Sequence, residues 1–520
     1  MSDKGVAIVL HYSEPQDIFL KLLQTVFGQT NNNFEVLIIG AEPDERLKRS
    51  VSEINTESFS VKFFFSGKNS YSDSLYQVFK QAETPFILYM DNRKIPIFLK
   101  YGAIDLFLSA AKRNRNAGMI YSDYELEENG QTRDIHLLKH HFGRVRDNQD
   151  FGKVYFFRKR ILQDIGYIDK SLKYATLYDL RLKISENYEL IHIASRYAGS
   201  AYRVVAKGQR HNVFDYLMAS KESQLEAEMV LTEHLKRIGS YLAPGKHFVP
   251  RPSPSAEATL KASVIIPVNN RPEFISAAIE SVQNQTVKEI EVIVVVNGGV
   301  SDPTTAQVRR HMPGGDCYDE SLPEVVLLVY DINNIGLCLN MGAKAARGEY
   351  YVQLDSDDRL KPDAVEKILK VYESDPLIGM VIGSYEVWEK QADDSIKRLS
   401  DIPVVTHDEW TEENGRNNLL RINGAGAPRS IPISLIRQIG FGLNEEPFAR
   451  NYGEDYAMVL KISETHRIGR VWEPIYEVIR HSGGTDHSID QITIDRNDEA
   501  KDFMRFEAML RRAERNENQD

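Results

Sequence analysis

Cysteine is nearly absent from this chain: Cys317 and Cys338 are the only two among 520 residues. They could form one bridge at most and stand in no metal-ligand spacing, which excludes a disulfide framework and a cysteine-built metal site. A reducing compartment, the cytoplasm, fits that usage. Long apolar runs are missing as well. No stretch approaches the roughly 20 apolar residues of a membrane span, and the opening "MSDKGVAIVLHYSEP" lacks the basic, apolar and small-residue order of a secretory signal. The expectation is a cytoplasmic protein, soluble or at most peripheral to the inner face of a membrane. Positive charge is also scarce, with 64 Lys and Arg against 75 Asp and Glu and a formal net charge of −11. Broad electrostatic attraction to nucleic acid is therefore not expected. What remains, 42% hydrophobic and 27% charged residues, is ordinary globular composition, and at about 100–200 residues per domain the length implies two or more domains.

The chain repeats itself. "VAIVLHYSEPQDIFLKLLQTVFGQTNNNFEVLIIG" near the start matches "ASVIIPVNNRPEFISAAIESVQNQTVKEIEVIVVVNG" from Ala262 in pattern: apolar strand, polar loop with Pro15 or Pro272, amphipathic helix, "QT", second strand. Further on, "TPFILYMDNRKIPIF" echoes "GEYYVQLDSDDRLKP", aligning Asp91 with Asp355, and "YDLRLKISE" echoes "YAMVLKISE". A unit this long is a duplicated domain, not a solenoid repeat of about 20–50 residues. The expected layout is a first domain over 1–240, a Pro-rich linker over 241–260, a second domain over 261–495 and a helical tail over 496–520. In that tail Phe503, Phe506, Met509 and Leu510 share one side. Strands alternate with helices in each copy, so each should be an open, mostly parallel α/β sheet covered on both faces, with ligands gathering at the carboxyl ends of the strands.

At one such end, "GEYYVQLDSDDRLKPDA" delivers Asp355, Asp357 and Asp358 directly after a buried strand. Pro362 and Asp363 look like a helix start, so capping could account for one acid. Three packed together need a compensating cation. Mg²⁺ or Mn²⁺ typically takes one or two carboxylates plus substrate phosphate oxygens, and an anionic diphosphate would not approach the acids without it.

The segments "VIIPVNNRPEFISAAIESVQNQT", "EVIVVVNGG", "NNIGLCLNMGAKAARGEYYVQLDSDD" and "GEDYAMVLKISE", in this order, resemble family 2 glycosyltransferases of the GT-A fold. The whole layout is similar to bacterial tandem glycosyltransferases that build surface polysaccharides or decorate proteins. The resemblance implies two tandem GT-A-like domains and an inverting transfer of a hexosyl or N-acetylhexosaminyl group from a nucleotide-diphosphate donor, a UDP-sugar first, to a glycan, lipid-linked or protein acceptor. It implies that Asp357 is the direct metal ligand of a DxD motif, that Asp355 and Ser356 touch the donor or reach the metal through water, and that Asp455 is the catalytic base with Glu454 beside it. Acids at that point also suit a helix N-terminus. The nucleotide would cross Pro267, Val268, Asn269 and Arg271; Asn297 stands where relatives usually carry an Asp that reads the base. Asn340 and Lys344 would project toward the same crevice. His481 would complete the metal site or close over the diphosphate, with Gly483 and Gly484 allowing a lid.

The first copy departs from this pattern. Arg93 occupies the position of Asp357, and Thr176 and Leu177 those of Glu454 and Asp455, so it is expected to be degenerate. A nucleotidyltransferase is the nearest rival enzyme, but "PVNNRPEF" offers only Arg271 to a triphosphate. A non-catalytic glycan-assembly scaffold is the rival from another class, and the intact acids of the second copy speak against it.

Overall fold

A computed structural model describes residues 4–518 apart from 14, 41–44, 58, 66, 68, 196, 198, 207–219, 392, 394, 408–413, 423, 425, 446–452 and 482–490. Gly483 and Gly484 lie outside the described residues. The chain forms two compact units, Met1–Ile238 and Gly239–Asp520.

In the first unit, a sheet of seven described strands runs in the order Ser60–Phe65, Phe34–Gly40, Val6–His11, Phe86–Met90, Val154–Arg158, Ala117–Ser122, Glu189–Ile193. The first four are parallel, and Val154–Arg158 is antiparallel to both its neighbours. The second unit repeats the plan: Glu324–Val329, Ile290–Val296, Leu260–Val268 and Gly348–Gln353 are parallel. Arg429–Pro432 then runs antiparallel between Gly348–Gln353 and Ile378–Lys390, which lies parallel to Arg467–Arg480. The α/β class expected from the sequence is the class found.

The reasons are local. Ile290–Val296 is a run of apolar, mostly β-branched residues broken only by Glu291, buried at every position, as a strand covered on both faces must be. Helix Ile275–Gln283 buries Ile275, Ala278, Ile279 and Val282, one stripe at helical spacing. Gly342 lets helix Ile335–Ala345 approach the sheet: a Cβ there would lie 2.6 Å from the Ile265 side chain. The strand order reverses between Leu260–Val268 and Gly348–Gln353. Ile265 pairs with Gln353, which brings Val268 and Asp355 to one side of the resulting crevice.

Two expectations need correction. The Pro-rich stretch is no free linker. Leu242 is buried and exchanges backbone bonds with the Asn417 amide, Val249 N–H donates to Thr465 and Arg251 N–H to Pro376, because a backbone laid along a surface must find partners for its polar groups. The tail is a helix, Gln491–Glu517, whose buried face is Ala500, Lys501, Asp502, Met504, Arg505, Ala508, Met509 and Arg512. Phe503 and Phe506 are only half-buried and Leu510 is exposed. Buried arginines displace the apolar stripe because this helix covers a loop rich in open carbonyls: Arg505 donates to Leu420 and Ile422 carbonyls and pairs with Asp502 at 2.8 Å. No described helix is long and apolar enough to cross a membrane.

Arg505→Ala would leave two carbonyls and a carboxylate buried without their donor. The expected loss is about 3 kcal/mol, or roughly 5–10 °C in thermal midpoint, read by calorimetry of the full chain.

Candidate active site

Strand Gly348–Gln353 alternates its side chains, so Tyr351, Gln353 and Asp355 continue one face while Val352 and Leu354 enter the core. The three acids separate at once. Asp358 turns inward: its Oδ1 accepts from Ile479 N–H at 2.8 Å and it shares a hydrogen bond with the Tyr476 hydroxyl. Burial, then the neighbouring Asp355 and Asp357, push its carboxyl well above the usual range, so it ties the acid loop to strand Arg467–Arg480. Asp357 turns outward and its Oδ2 lies 2.9 Å from His481 Nε2. The His481 ring is itself held at 4.3 Å from that of Phe274. Asp355 is half-buried, donates its N–H to Tyr476 Oη at 3.1 Å and accepts from Gln353 Nε2 at 3.2 Å. Burial raises its carboxyl, with Arg429 opposing. Ser356 is buried between them.

The second acid pair opens helix Glu454–Ser463 after Gly453, whose φ of 85° is the left-handed conformation that glycine adopts freely. Asp455 Oδ2 lies 3.0 Å from Arg429 Nη1. Burial pushes this carboxyl up, but the Arg429 guanidinium and then Lys501 of the C-terminal helix outweigh it and hold it below the ordinary value. Glu454 is driven the other way, to about 7, by burial and by the charge of Asp455. Adjacent acids in one buried site thus divide into an ionised carboxylate and one that is protonated up to neutral pH.

Arg429 joins the two groups. Besides Asp455, its Nε donates to Gln353 Oε1 at 3.2 Å, and Gln353 donates onward to Asp355. Arg429, Gln353, Tyr476 and Lys501 are the site residues that sequence reasoning missed. Gln353 had a signal, two positions before Asp355 on the same strand face; the others come from distant segments.

The donor side is ordered by amides. Asn269 donates to Asn297 Oδ1 at 2.7 Å, and Asn297 Nδ2 faces Asn333 and the Cys338 thiol, each at 3.4 Å. Pro267 and Val268 end the central strand beside them, and Arg271 N–H is fixed by Thr304 Oγ1 at 2.9 Å. Two expected donor residues lie elsewhere. Asn340 spends both amide atoms on the backbone of Phe441, at 2.8 and 2.9 Å. Lys344 is exposed in the last turn of Ile335–Ala345. That helix starts at the crevice and runs back along the sheet, which at 1.5 Å per residue carries Lys344 roughly 14 Å from its first residue.

The donor chemistry at Asp357 and His481, one carboxylate and one imidazole with Asp355 nearby, suits Mn²⁺, and Mg²⁺ somewhat less. Among the described residues no three His, Cys, Asp or Glu side chains gather round one point as a ready metal cage, so water and phosphate oxygens would fill the remaining positions.

In the first unit the corresponding side chains are engaged with one another. Arg93 pairs with both oxygens of Asp91 at 2.7 and 2.9 Å and lies 3.5 Å from the Tyr71 ring centroid. Asp123 is bound by His192 and His136, and Asp179 by Lys183.

An open α/β sheet with a carboxylate-lined crevice at its switch point is the class this unit defines. Within that class, residues 263–422 match the sequence model of Glycosyl transferase family 2. The chain is 34% identical over 122 residues to the chondroitin synthase of Escherichia coli, covering 23% of this chain and 17% of that protein. It is 30% identical over 189 residues to the chondroitin synthase of Pasteurella multocida, covering 35% and 18%. The chain thus spans less than a fifth of the length of these curated relatives. A crystal structure of Staphylococcus aureus TarS 1–349 in complex with UDP is similar at 18% identity and a TM-score of 0.33, over 42% of this chain and 61% of that one, a likeness too low to carry an argument.

Because folded Glu454 holds its proton to about pH 7 and an unfolded glutamate releases it near ~4.3, the unfolded state gains as pH rises between those values and the native state loses stability. Glu454→Gln should remove that loss. Unfolding free energies of variant and wild type are expected to agree near pH 4.5, and that of the variant to be higher by about 3 kcal/mol at pH 8, read by denaturant titration at each pH.

Proposed function

We propose that the second unit is a metal-dependent inverting glycosyltransferase that moves a sugar from a nucleotide-diphosphate donor, with a UDP-sugar the leading choice, to a glycan acceptor. The observation that carries this reading is the pair of unlike acid centres, Asp357 with His481 and Asp455 with Arg429, the second linked through Gln353 to Asp355 of the same acid loop. Asp455, kept ionised by Arg429 and Lys501, takes the proton of the acceptor hydroxyl. The freed oxygen attacks the anomeric carbon from the face opposite the diphosphate, the bond from that carbon to the diphosphate oxygen breaks, and the electron pair leaves with the diphosphate, so configuration inverts. Asp357 and His481, with Asp355, would hold Mn²⁺ or Mg²⁺, which when bound supplies the positive charge that a leaving diphosphate needs. Glu454 remains protonated beside the base through the lower part of the neutral range and spares Asp455 a second negative neighbour. Asn269, Asn297 and Arg271 frame the nucleotide's side of the crevice. The polysaccharide synthases among the relatives favour a glycan over a lipid-linked or protein acceptor. A nucleotide-sugar donor would place the reaction in the cytoplasm, and peripheral attachment to the inner membrane face is compatible with it.

The first unit is proposed as a non-catalytic neighbour. Its remaining aspartates are each consumed by an internal cation or histidine, and Leu177 cannot accept a proton.

Thermal-shift measurements against nucleotide sugars, with and without Mn²⁺, test the reading; no stabilisation by any nucleotide under any metal condition sinks it. With a donor in hand, Asp357→Ala is expected to abolish metal-dependent donor binding. Asp455→Ala should leave binding within about threefold and lower turnover by at least ~10³-fold, since the base acts only in the transition state. Equal loss of donor affinity in both variants refutes the division of roles.

Arg93→Ala in the full chain is expected to keep turnover within about threefold of wild type, a change of no more than ~1 kcal/mol in the barrier. Turnover under saturating donor checks it, and greater damage than from Asp357→Ala would move the active centre to the first unit.

A further inference from the structure

The second unit contains another cavity, of about 430 Å³, distinct in its lining residues from the acid crevice. That volume is within the roughly 300–1,000 Å³ of small-ligand sites. Its polar lining is cationic: Arg416, His466, Arg467 and Arg470, with Phe248 and Trp472 as aromatic walls, and no carboxylate lines it among the described residues. In a chain of net charge −11, such a lining runs against the bulk composition.

Two of the arginines are laid on rings. Arg416 Cζ lies 4.3 Å from the Phe248 centroid and Arg470 Cζ 4.4 Å from that of Trp472. Both are anchored by backbone carbonyls, Arg416 to Ala243 and Lys246, Arg470 to Thr406 and His407. Held over the Phe248 ring by two carbonyls on its Nη2, the Arg416 guanidinium presents a pre-organised fork suited to carboxylate or phosphate oxygens. Arg467 is already paired with Asp375 at 2.6 Å. Arg416, however, is 6% exposed, and its Nη1 has no hydrogen-bond partner among the described residues. A buried donor left open is destabilising, and an oxyanion in the cavity would satisfy it. Burial lowers the Arg416 guanidinium only to about 10, so it stays charged at neutral pH.

We infer that this cavity is an oxyanion site for the acidic group of a saccharide, a second glycan contact apart from the transfer centre. The choice of a saccharide rests on the glycosyltransferase reading; the cationic cavity does not. Trp472, 49% exposed, offers the aromatic edge and face on which the C–H side of a sugar ring can settle.

The test reads binding without turnover. Full-length protein is titrated calorimetrically with oligogalacturonate, neutral maltohexaose, inorganic phosphate and UDP, in the wild type and in Trp472→Ala, Arg416→Gln and Asp455→Asn. Expected is one oligogalacturonate site, weakened at least tenfold in Trp472→Ala and Arg416→Gln and within twofold in Asp455→Asn. Trp472→Ala removes a half-exposed ring, so it carries the test should Arg416→Gln fold poorly. Overturning results are absence of oligogalacturonate binding, equal binding of maltohexaose, unchanged binding in Trp472→Ala, or loss of binding in Asp455→Asn, which would place the saccharide at the transfer centre. Phosphate or UDP binding here in preference to the acidic saccharide would also overturn it. If no nucleotide sugar is ever turned over while oligogalacturonate still binds in this pattern, the transferase reading fails and the cavity assignment stands.

Discussion

Everything at the crevice depends on the Arg429 guanidinium. Asp355, Glu454 and Asp455 are acids drawn into a poorly solvated volume, and burial alone would protonate all three. One cation changes that outcome selectively. Its direct contact with Asp455 keeps that carboxylate ionised, while Glu454, one residue away, takes the proton instead. The other edge of the same guanidinium orients Gln353, which in turn holds Asp355. A planar, permanently charged fork holds its donors in fixed directions, where the donors of an ammonium rotate on a flexible stem.

The duplicated first unit shows what the framework looks like without that interaction. The ladder pairs Val352 with Ser430 and, three residues before the aligned Asp91, Leu88 with Phe156. Arg429 and Gln353 therefore correspond to Tyr155 and Tyr89, whose rings stack at 6.2 Å. The base position is Leu177 and the metal-ligand position Arg93. Four substitutions in three separate segments remove this polar system and replace it with aromatic packing plus an internal ion pair. The sheet survives because its order rests on apolar strands, not on these polar residues.

Strand Arg467–Arg480 gives the second unit its reach. Its first half carries Arg467, Arg470 and Trp472 to the cationic cavity; its second half presents Tyr476 and the Ile479 amide to the acid loop, and His481 follows directly. At about 3.3 Å per residue the two ends of this strand lie roughly 40 Å apart. Pairing along Ile378–Lys390, with register shifts between Ile378 and Tyr385, connects the two.

Much of this was legible in the sequence because it is local. Alternating and continuous apolar runs specify strands, helical stripes specify the covering helices, and the duplication shows twice where acids meet strand ends. Asp355, Asp357 and the pair Glu454–Asp455 could be picked out because each group is contiguous in the chain, and His481 because a resemblance pointed to it. The Pro-rich stretch and the tail misled for the opposite reason. Proline content says nothing about which surface a segment lies along, and the tail's aromatic stripe gave way to Arg505 and Arg512 once a neighbouring loop presented carbonyls. Asn340 and Lys344 were lost to helix direction, which periodicity does not report. By itself, the sequence determined the repeated α/β framework and the positions of its acids. Tertiary structure alone decided which acid is ionised, which is neutral and which ties a loop to a strand, because those states are set by burial and by cations such as Arg429 and Lys501 arriving from segments far away along the chain.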